Sequence, residues 1–193
     1  MYIILDIETT GLIPKDGSNN FYNYKILDKY DGCRMLQICY EILDSNLNVM
    51  ITKSFYINEI DNITNSHIHG ITLDTLKLYG IKIDSFVEQF KTDICNCKVI
   101  IAHNLQFDYS ILMSELYRYN YTDVINMINN MDRKCSMRLT KNIFGKYPKL
   151  IDLYNYSHNT NYSSLAGAHN AINDVKYLRE SLILLQNKID IFN

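Results

Sequence analysis

The chain lacks tryptophan, contains only two prolines, and shows neither a low-complexity linker nor an internal repeat. With abundant isoleucine, asparagine, lysine and tyrosine, this composition indicates an AT-rich coding genome. Hydrophobic residues make up 47% of the 193 residues and charged residues 21%, which excludes an intrinsically disordered chain. Length and composition together predict one globular domain over residues 1–193, with a large core.

Long apolar runs are also missing, because none reaches the roughly 18 residues that a membrane-spanning helix needs. The five cysteines form an odd set without disulfide or zinc-site spacing, which favours a reduced protein. Met1 leads almost directly into the first motif, which leaves no room for a signal peptide. We therefore expect no membrane partner and an intracellular, cytoplasmic location, or a nuclear or viral-factory one if the source is viral.

An excess of positive charge is missing as well, since 21 acidic and 19 basic residues give a net charge of −2. The charge is nevertheless unevenly distributed. Between Arg133 and Lys149 there are six basic residues and no acidic one, and Lys146 and Lys149 belong to this segment. The segment is either a solvated face or a groove for backbone phosphates, and the sequence leaves both readings open.

Four acidic residues and two histidines lie in three short motifs that are far apart in the sequence. The motifs are DIETTGL beginning at Asp6, HNLQFD beginning at His103, and HNAIND beginning at His169. Clustered carboxylates repel one another unless divalent cations neutralise them, and oxygen ligands of this kind suit Mg²⁺ or Mn²⁺. The motifs therefore indicate metal-assisted cleavage of phosphodiester bonds.

The pattern of apolar residues predicts a meander of three strands followed by alternating strands and helices. Predicted strands span residues 2–6, 35–43, 49–57 and 98–102, and predicted helices span 66–79, 84–95 and from the Asn104 cap to about 119. The last predicted helix carries an amphipathic stripe, which consists of Ala168, Ala171, Ile172, Val175, Leu178, Leu182 and Leu185. This order predicts an α/β fold, with a mixed sheet covered by helices. Residues 13–34 form a long loop insertion, in which Tyr22, Tyr24 and Tyr30 could stack on bases.

The acidic residues of the first two motifs are expected to meet at one end of the sheet. Asp6 and Glu8 are two positions apart on a strand, so their side chains point to the same face. Asp108 falls in the first turn of a helix that Asn104 could cap. It therefore lies beside Glu8, provided that the strands preceding the two motifs are parallel neighbours.

In the third motif, His169 and Asp174 would not share a face if both were helical. Asn170 as a helix cap resolves this, because it places His169 on the preceding loop and Asp174 in the first turn.

The three motifs in this order resemble the DEDDh branch of the DnaQ-like 3′–5′ exonucleases, over about residues 1–185. The sister branch carries a tyrosine four positions before the last aspartate, where this chain has Asn170. The resemblance implies an RNase H-like fold, with a mixed five-stranded sheet flanked by helices.

The resemblance also implies a role for each motif residue. Asp6, Glu8, Asp108 and Asp174 would hold two Mg²⁺ or Mn²⁺ ions, and His169 would be the general base. By the same resemblance, the terminal nucleotide would be bound by Thr9, Thr10, Gly11, Leu12, Asn104 and Phe107. From the residues alone, we expect His69 at a helix start or in a substrate loop, and Lys146 and Lys149 of the basic segment as further substrate-binding residues.

We therefore expect a metal-dependent 3′–5′ exonuclease that releases nucleoside 5′-monophosphates from single-stranded 3′ ends. DNA is favoured as the substrate, and an exoribonuclease or oligoribonuclease is the first alternative. The second alternative is a non-catalytic polymerase-accessory module that binds nucleic acid. A polymerase or a second copy of the chain, forming a homodimer, stays open as a partner.

Overall fold

The computed structural model describes residues 1–167 and 170–192. Its strands are β1 (Tyr2–Thr9), β2 (Met35–Leu43), β3 (Val49–Tyr56), β4 (Val99–Ala102) and β5 (Asp132–Cys135). They form one sheet in the order β3-β2-β1-β4-β5. The first three strands are antiparallel neighbours, whereas β4 runs parallel to β1 and β5 parallel to β4. The predicted mixed five-stranded sheet is confirmed.

Helices cover both faces of this sheet. They are α1 (Ser66–His69), α2 (Leu73–Tyr79), α3 (Ile83–Ile94), α4 (Leu105–Arg118), α5 (Thr122–Asn129), α6 (Ser136–Leu139), α7 (Lys141–Phe144), α8 (Leu150–His158) and α9 (Ala171–Leu185), with a 3-10 turn at Leu27–Tyr30. None of the helices in the described ranges has both the length and the apolarity to span a membrane.

The central strand β1 is buried on both faces, which is why its apolar run does not alternate with polar residues. Ile3 and Leu5 lie in the larger core cluster, which α3 and α4 complete. Ile4 points to the opposite face and packs in a second cluster with Val175 and Leu178 of α9. Asp6 and Glu8 continue the Ile4 row, so they project from the face that α9 covers.

The helix predicted over residues 66–79 is interrupted, and this prediction was wrong in its extent. Gly70 adopts φ 74°, which ends α1, and Thr72 then begins α2 by accepting a hydrogen bond from the Thr75 amide at 3.2 Å. Glycine reaches the left-handed conformation at little cost, so the break lies where the sequence places its only local glycine before the Thr72 cap.

The last helix begins as predicted. The Asn170 side chain accepts a hydrogen bond from the Ile172 amide at 3.2 Å and caps α9. Four of the predicted stripe residues after Ala171 are buried, but Ile172 is 43% exposed and does not belong to the packed stripe. Ala168, also predicted in the stripe, lies outside the described residues.

Strand β5 carries the sequence Asp-Arg-Lys-Cys and has no apolar signature of its own. It forms by pairing with β4, in the register Val99 to Asp132 and Ala102 to Cys135. The basic segment therefore begins on an edge strand, which the sequence reading did not locate.

The insertion at residues 13–34 is part of the core rather than an appendage. Ile13, Tyr30 and Cys33 are at most 4% exposed. The Tyr30 hydroxyl donates a hydrogen bond of 2.7 Å to the Tyr22 carbonyl. Tyr30 is therefore unable to stack on a base, and the prediction that it could do so was wrong.

Candidate active site

Three of the predicted acidic residues converge on the α9 face of β1. Carboxylate oxygens of Asp6, Glu8 and Asp174 all lie within 4.8 Å of one another. The two strand residues meet the third because α9 packs along β1, and the Asn170 cap orients the first turn of that helix. The prediction that the first and third motifs share one site agrees with this geometry.

Asp108 approaches the same strand from its open edge. β1 is paired with β4 only as far as Ile4, so the strand continues past the end of its parallel neighbour. The chain turns into α4 there, and the Asp108 carboxylate accepts a hydrogen bond of 3.1 Å from the Ile7 amide. Asp108 thus occupies the position beside β1 that a longer β4 would have filled, as the parallel arrangement predicted.

The carboxylates perturb one another strongly. The pKa of Asp6 is raised well above its usual value, first by burial and then by repulsion from Asp108, Asp174 and Glu8. Burial and the Asp174 charge raise the pKa of Glu8 to about 7. Burial is also the main reason why the pKa of Asp108 is raised, although the Ile7 hydrogen bond opposes that change.

This arrangement fits a divalent cation. Neighbouring carboxylates with raised pKa values hold protons unless positive charge is brought between them, and the donor set consists of oxygen atoms only. The residues that would hold such an ion are Asp6, Glu8 and Asp174, with Asp108 placed to complete the set from the strand edge.

The loop after Glu8 is built around a bulge and a close backbone approach. The register of β1 against β2 shifts between Glu8 and Thr9, as is frequent near active sites. Thr9 then donates a hydrogen bond of 2.7 Å to the Gly11 carbonyl. A Cβ atom at Gly11 would lie 2.6 Å from the Gly32 carbonyl oxygen, so only glycine fits.

Thr10 and Leu12 have different surroundings in this loop. The Thr10 hydroxyl donates to the Gly32 carbonyl at 3.1 Å and accepts from the Arg34 amide at 2.8 Å. Leu12, by contrast, is 85% exposed and lies just after β1, the strand that carries Asp6 and Glu8. Its apolar side chain is therefore available to a ligand, whereas Thr10 is occupied in holding the loop.

His69 is buried, and one of its ring nitrogens has no partner. Its Nδ1 accepts a hydrogen bond of 3.1 Å from the Ile71 amide, which leaves the proton on Nε2. Within the described part of the chain, neither His69 Nε2 nor Asn65 Oδ1 has a hydrogen-bond partner. Asn65 in turn donates to the Thr9 carbonyl at 2.9 Å, so it joins α1 to the end of β1.

Asn65 was missed by the sequence reading because nothing in its neighbours marks it. Its contact with Thr9 spans 56 positions, and only the folded chain brings the two together. The Asn65 side-chain nitrogen supports the loop through the Thr9 carbonyl, whereas Oδ1 accepts no hydrogen bond within the described residues.

Asn104 lies at the start of α4, but not as the side-chain cap that was predicted. It adopts a left-handed backbone, with φ 79°, and its side chain makes no capping hydrogen bond. Asparagine tolerates this conformation better than most residues, so a turn rather than a cap explains its presence. Phe107, in the first turn, contacts Phe21 of the insertion with ring centroids 6.2 Å apart.

Lys146 and Lys149 are exposed in the connection between α7 and α8. This connection is tied to the second motif, because His103 Nε2 lies 3.0 Å from the Pro148 carbonyl oxygen and its Nδ1 lies 2.9 Å from the Ser136 hydroxyl. Burial lowers the pKa of His103 to about 4, so this imidazole is neutral. His169, the predicted general base, lies outside the described residues.

A mixed sheet with acidic residues gathered at the open end of its central strand is typical of nuclease domains with the RNase H-like fold. Residues 3–181 match the family described as RNase_T, exonuclease, and the chain belongs to this DnaQ-like family. No curated protein matches the sequence closely.

Solved structures show the same fold. Escherichia coli exonuclease I in complex with a dA16 oligonucleotide matches with a TM-score of 0.66 and 17% identity, over 96% of this chain and 40% of that one. Exonuclease I from Methylocaldum szegediense gives 0.64 and 15%, over 100% and 42%. One chain in the structure of the yeast NOT1 MIF4G domain co-crystallised with CAF1 gives a TM-score of 0.63 and 13% identity, over 97% of this chain and 81% of that one.

This chain therefore spans about two fifths of the length of the exonuclease I chains that it resembles.

Proposed function

We propose that this chain is a metal-dependent 3′–5′ exonuclease of the DEDDh type, acting on single-stranded DNA ends and releasing nucleoside 5′-monophosphates. The observation that carries the proposal is the meeting of Asp6, Glu8 and Asp174 within 4.8 Å. The match over residues 3–181 supports it, and also supports a single exonuclease domain over the whole chain.

Four carboxylates suit two Mg²⁺ or Mn²⁺ ions, with Asp6, Glu8 and Asp174 on one side and Asp108 at the strand edge. Divalent cations held there would neutralise the charge of the phosphate group that is attacked. Asp108 has a fixed direction because the Ile7 amide holds one of its oxygens. Asp6 and Glu8 are held in place by the sheet, because both lie on β1. The proposed metal-binding carboxylates would therefore be positioned before the substrate binds.

We assign His169 the role of general base, which takes the proton from the attacking water. An imidazole must be neutral to accept this proton, so activity rises between about pH 6 and pH 8. His169→Gln should lower kcat far more than KM and should remove this rise. A wild-type rate that is flat across the range would contradict the assignment.

The substrate's terminal nucleotide is proposed to lie on the loop after β1. Leu12 is 85% exposed and would pack on its base. Phe107 and Asn104 would line the pocket from the start of α4, with the backbone of Thr9, Thr10 and Gly11 forming its floor. His69 Nε2 carries a buried proton without a partner in the described residues, which suits a donor to an oxygen of the substrate.

The proposed preference for DNA is based on two of the matching solved structures. Escherichia coli exonuclease I was crystallised with dA16 and with dT13, and both are DNA oligonucleotides. We extend that substrate class to this chain because its fold matches the exonuclease domain. Lys146 and Lys149 are exposed next to the second motif and would contact the backbone phosphates of the strand.

The decisive experiment is a paired time course on 5′-labelled single-stranded DNA and RNA of one sequence, with Mg²⁺, Mn²⁺ or EDTA. Asp6→Asn removes a proposed metal ligand, and Asp74→Asn removes an exposed carboxylate on α2 as the matched control. We expect a ladder that shortens from the 3′ end, requires metal, and disappears only with Asp6→Asn.

The faster polymer then identifies the substrate class. Cleavage of RNA alone would replace the DNA exonuclease with an exoribonuclease. Binding of both polymers without cleavage of either would show a nucleic-acid-binding module instead of an enzyme.

A further inference from the structure

A cavity of about 580 Å³ lies beside the proposed active site, between the insertion, the start of α4 and the β5–α6 segment. Two features that are more than a hundred positions apart in sequence meet in it, the tyrosine-rich loop and the basic segment. The residues that matter here are Phe21, Tyr22, Tyr24, Arg133, Lys134 and Arg138.

The cavity is positively charged. Three basic residues line it and no acidic one does. Lys134 is partly neutralised by Asp190, 3.7 Å away. Arg133 and Arg138 form no ion pair with a carboxylate in the ranges that the structure covers, and both are exposed. Two guanidinium groups without a carboxylate partner in the described residues are suited to an anion, because each offers several donors in a fixed plane.

Aromatic rings form the other wall. Tyr24 packs on Tyr109 and on Tyr117, with centroid distances of 5.8 and 5.7 Å. The Arg133 guanidinium lies 4.4 Å from the Tyr109 ring centroid, so the cationic and aromatic walls are in direct contact. Basic groups beside ring faces are the combination by which proteins hold single-stranded nucleic acid without reading its sequence.

The cavity adjoins the proposed nucleotide pocket without being part of it. Phe21 lines the cavity and also contacts Phe107, with ring centroids 6.2 Å apart. On the other side, Arg138 donates a hydrogen bond of 2.8 Å to the Gln106 side chain. Gln106 lies two positions before Asp108, so both walls are joined to the helix turn that carries this acidic residue.

We propose that this cavity is a second nucleotide subsite, which holds one nucleotide of the single-stranded substrate outside the acidic centre. The base lies against the tyrosines, and the phosphate is bound by Arg133 and Arg138. A volume of about 580 Å³ is ample for a single nucleotide, since ligand pockets span roughly 300–1,000 Å³. The subsite rests on the proposed function for the identity of the strand, but its binding does not require catalysis.

The first test measures binding in EDTA, where no cleavage occurs, by the fluorescence anisotropy of a labelled ten-residue oligothymidylate. Arg133→Gln/Arg138→Gln removes two charges from the cavity. Lys77→Gln/Lys82→Gln removes two charges from exposed positions on α2 and before α3, as the matched control. We expect the first variant to bind about tenfold more weakly and the control to bind like the wild type.

The salt dependence provides a second readout from the same experiment. Loss of the contacts to one phosphate of a single strand should reduce the slope of log K against log salt by about 0.7. Unchanged affinity and slope in the arginine variant would overturn the subsite. Retained oligonucleotide binding combined with lost binding of a labelled acidic peptide would assign the cavity to a protein partner and overturn it as well.

Photocrosslinking of the wild-type protein keeps the proposal testable if the arginine variant fails to fold. An oligonucleotide with a single 5-iodouracil at successive positions should crosslink to Tyr22 or Tyr24 from one position inside the strand. Crosslinks that appear only at Leu12 and Phe107 would overturn the subsite.

Comparing cleavage of an oligonucleotide with cleavage of a mononucleotide ester tests the subsite separately from the exonuclease activity. The p-nitrophenyl ester of thymidine 5′-monophosphate contains a single nucleotide, so it provides no second nucleotide for the cavity when it is bound at the acidic centre. The ratio of kcat/KM for the oligonucleotide to that for the ester should fall about tenfold in the arginine variant. A wild-type protein that cleaves neither substrate contradicts the exonuclease, whereas an unchanged ratio contradicts the subsite alone.

Discussion

The Asp108 carboxylate accepts a hydrogen bond from the Ile7 amide at 3.1 Å, across 101 positions of sequence. This bond joins the second motif to the first through the backbone of β1. It satisfies an amide that β4 is too short to reach, and it fixes the direction of a buried carboxylate. One residue therefore has both a structural and a proposed ligand role.

The two roles of Asp108 are separable by substitution. Asp108→Asn keeps an oxygen for the Ile7 amide but removes the charge, so nuclease activity should be lost with little loss of stability. Asp108→Leu removes both, and the unpaired amide should cost about 1–3 kcal/mol in the free energy of unfolding. Urea unfolding in EDTA checks this difference. Equal stability of the two variants would show that the hydrogen bond contributes nothing.

Gly11 is expected to tolerate no side chain. Gly11→Ala places a Cβ 2.6 Å from the Gly32 carbonyl oxygen, so the loop must shift, at a cost of about 1–3 kcal/mol. KM for the oligonucleotide should rise, because Thr9 and Leu12 move with the loop. Gly17→Ala is the control, since no atom lies within 4 Å of its added Cβ. Wild-type kinetics in Gly11→Ala would remove this loop from the substrate site.

Stability without metal should fall as the pH rises. The folded state raises the pKa of Glu8 from 4.5 to about 7, so it binds this proton more tightly than the unfolded state does. The Glu8 carboxyl therefore does not lower the free energy of unfolding below about pH 4.5. Above about pH 7 it lowers this free energy by its full amount, on the order of 2–3 kcal/mol.

Urea midpoints measured in EDTA between pH 4.5 and pH 7.5 test this sign. Glu8→Gln should flatten the decline, whereas Glu88→Gln, an exposed control on α3, should leave it unchanged. Added Mg²⁺ should restore stability most at the alkaline end. A wild-type urea midpoint that rises from pH 4.5 to pH 7.5 would contradict the raised pKa of Glu8 in the folded protein.

The insertion is attached to α4 by a buried ion pair. Arg34 Nε lies 2.6 Å from the Glu115 carboxylate, whose side chain is only 3% exposed. Arg34→Met leaves that charge buried and unpaired, which should cost about 3–5 kcal/mol, and Glu115→Leu in the same chain should recover part of the loss. Asp31→Asn breaks a pair with Arg118 whose acidic side chain is 63% exposed, and should cost less than about 1 kcal/mol. Similar losses in Arg34→Met and Asp31→Asn would contradict a buried pair.

The sequence predicted the parts of the fold that follow from local periodicity. Apolar runs located β1 and β4, and the Asn170 cap placed Asp174 correctly because both depend on neighbouring residues. β5 could not be found this way, since its Asp-Arg-Lys-Cys sequence is a strand only because β4 offers it a partner.

The same distinction applies to the site. The spacing of Asp6 and Glu8 follows from strand geometry alone, so their shared face was predictable. The Asn65 contact with Thr9 and the meeting of Tyr24 with Arg133 at one cavity depend on packing between distant segments. Asn104 shows a further limit, because asparagine is common both as a helix cap and in left-handed turns, and sequence does not distinguish the two.

The unequal lengths of β1 and β4 have a consequence for how this site could be altered. Because β1 continues past Ile4 without its parallel neighbour, Asp6 and Glu8 lie on the part of β1 that β4 does not pair with. Lengthening β4 by a residue pair would bring strand backbone to the Ile7 amide and displace the Asp108 carboxylate from it, while Asp6 and Glu8 stay on β1. The position of the reaction is therefore set by a difference between two strand lengths, a quantity that no single motif contains.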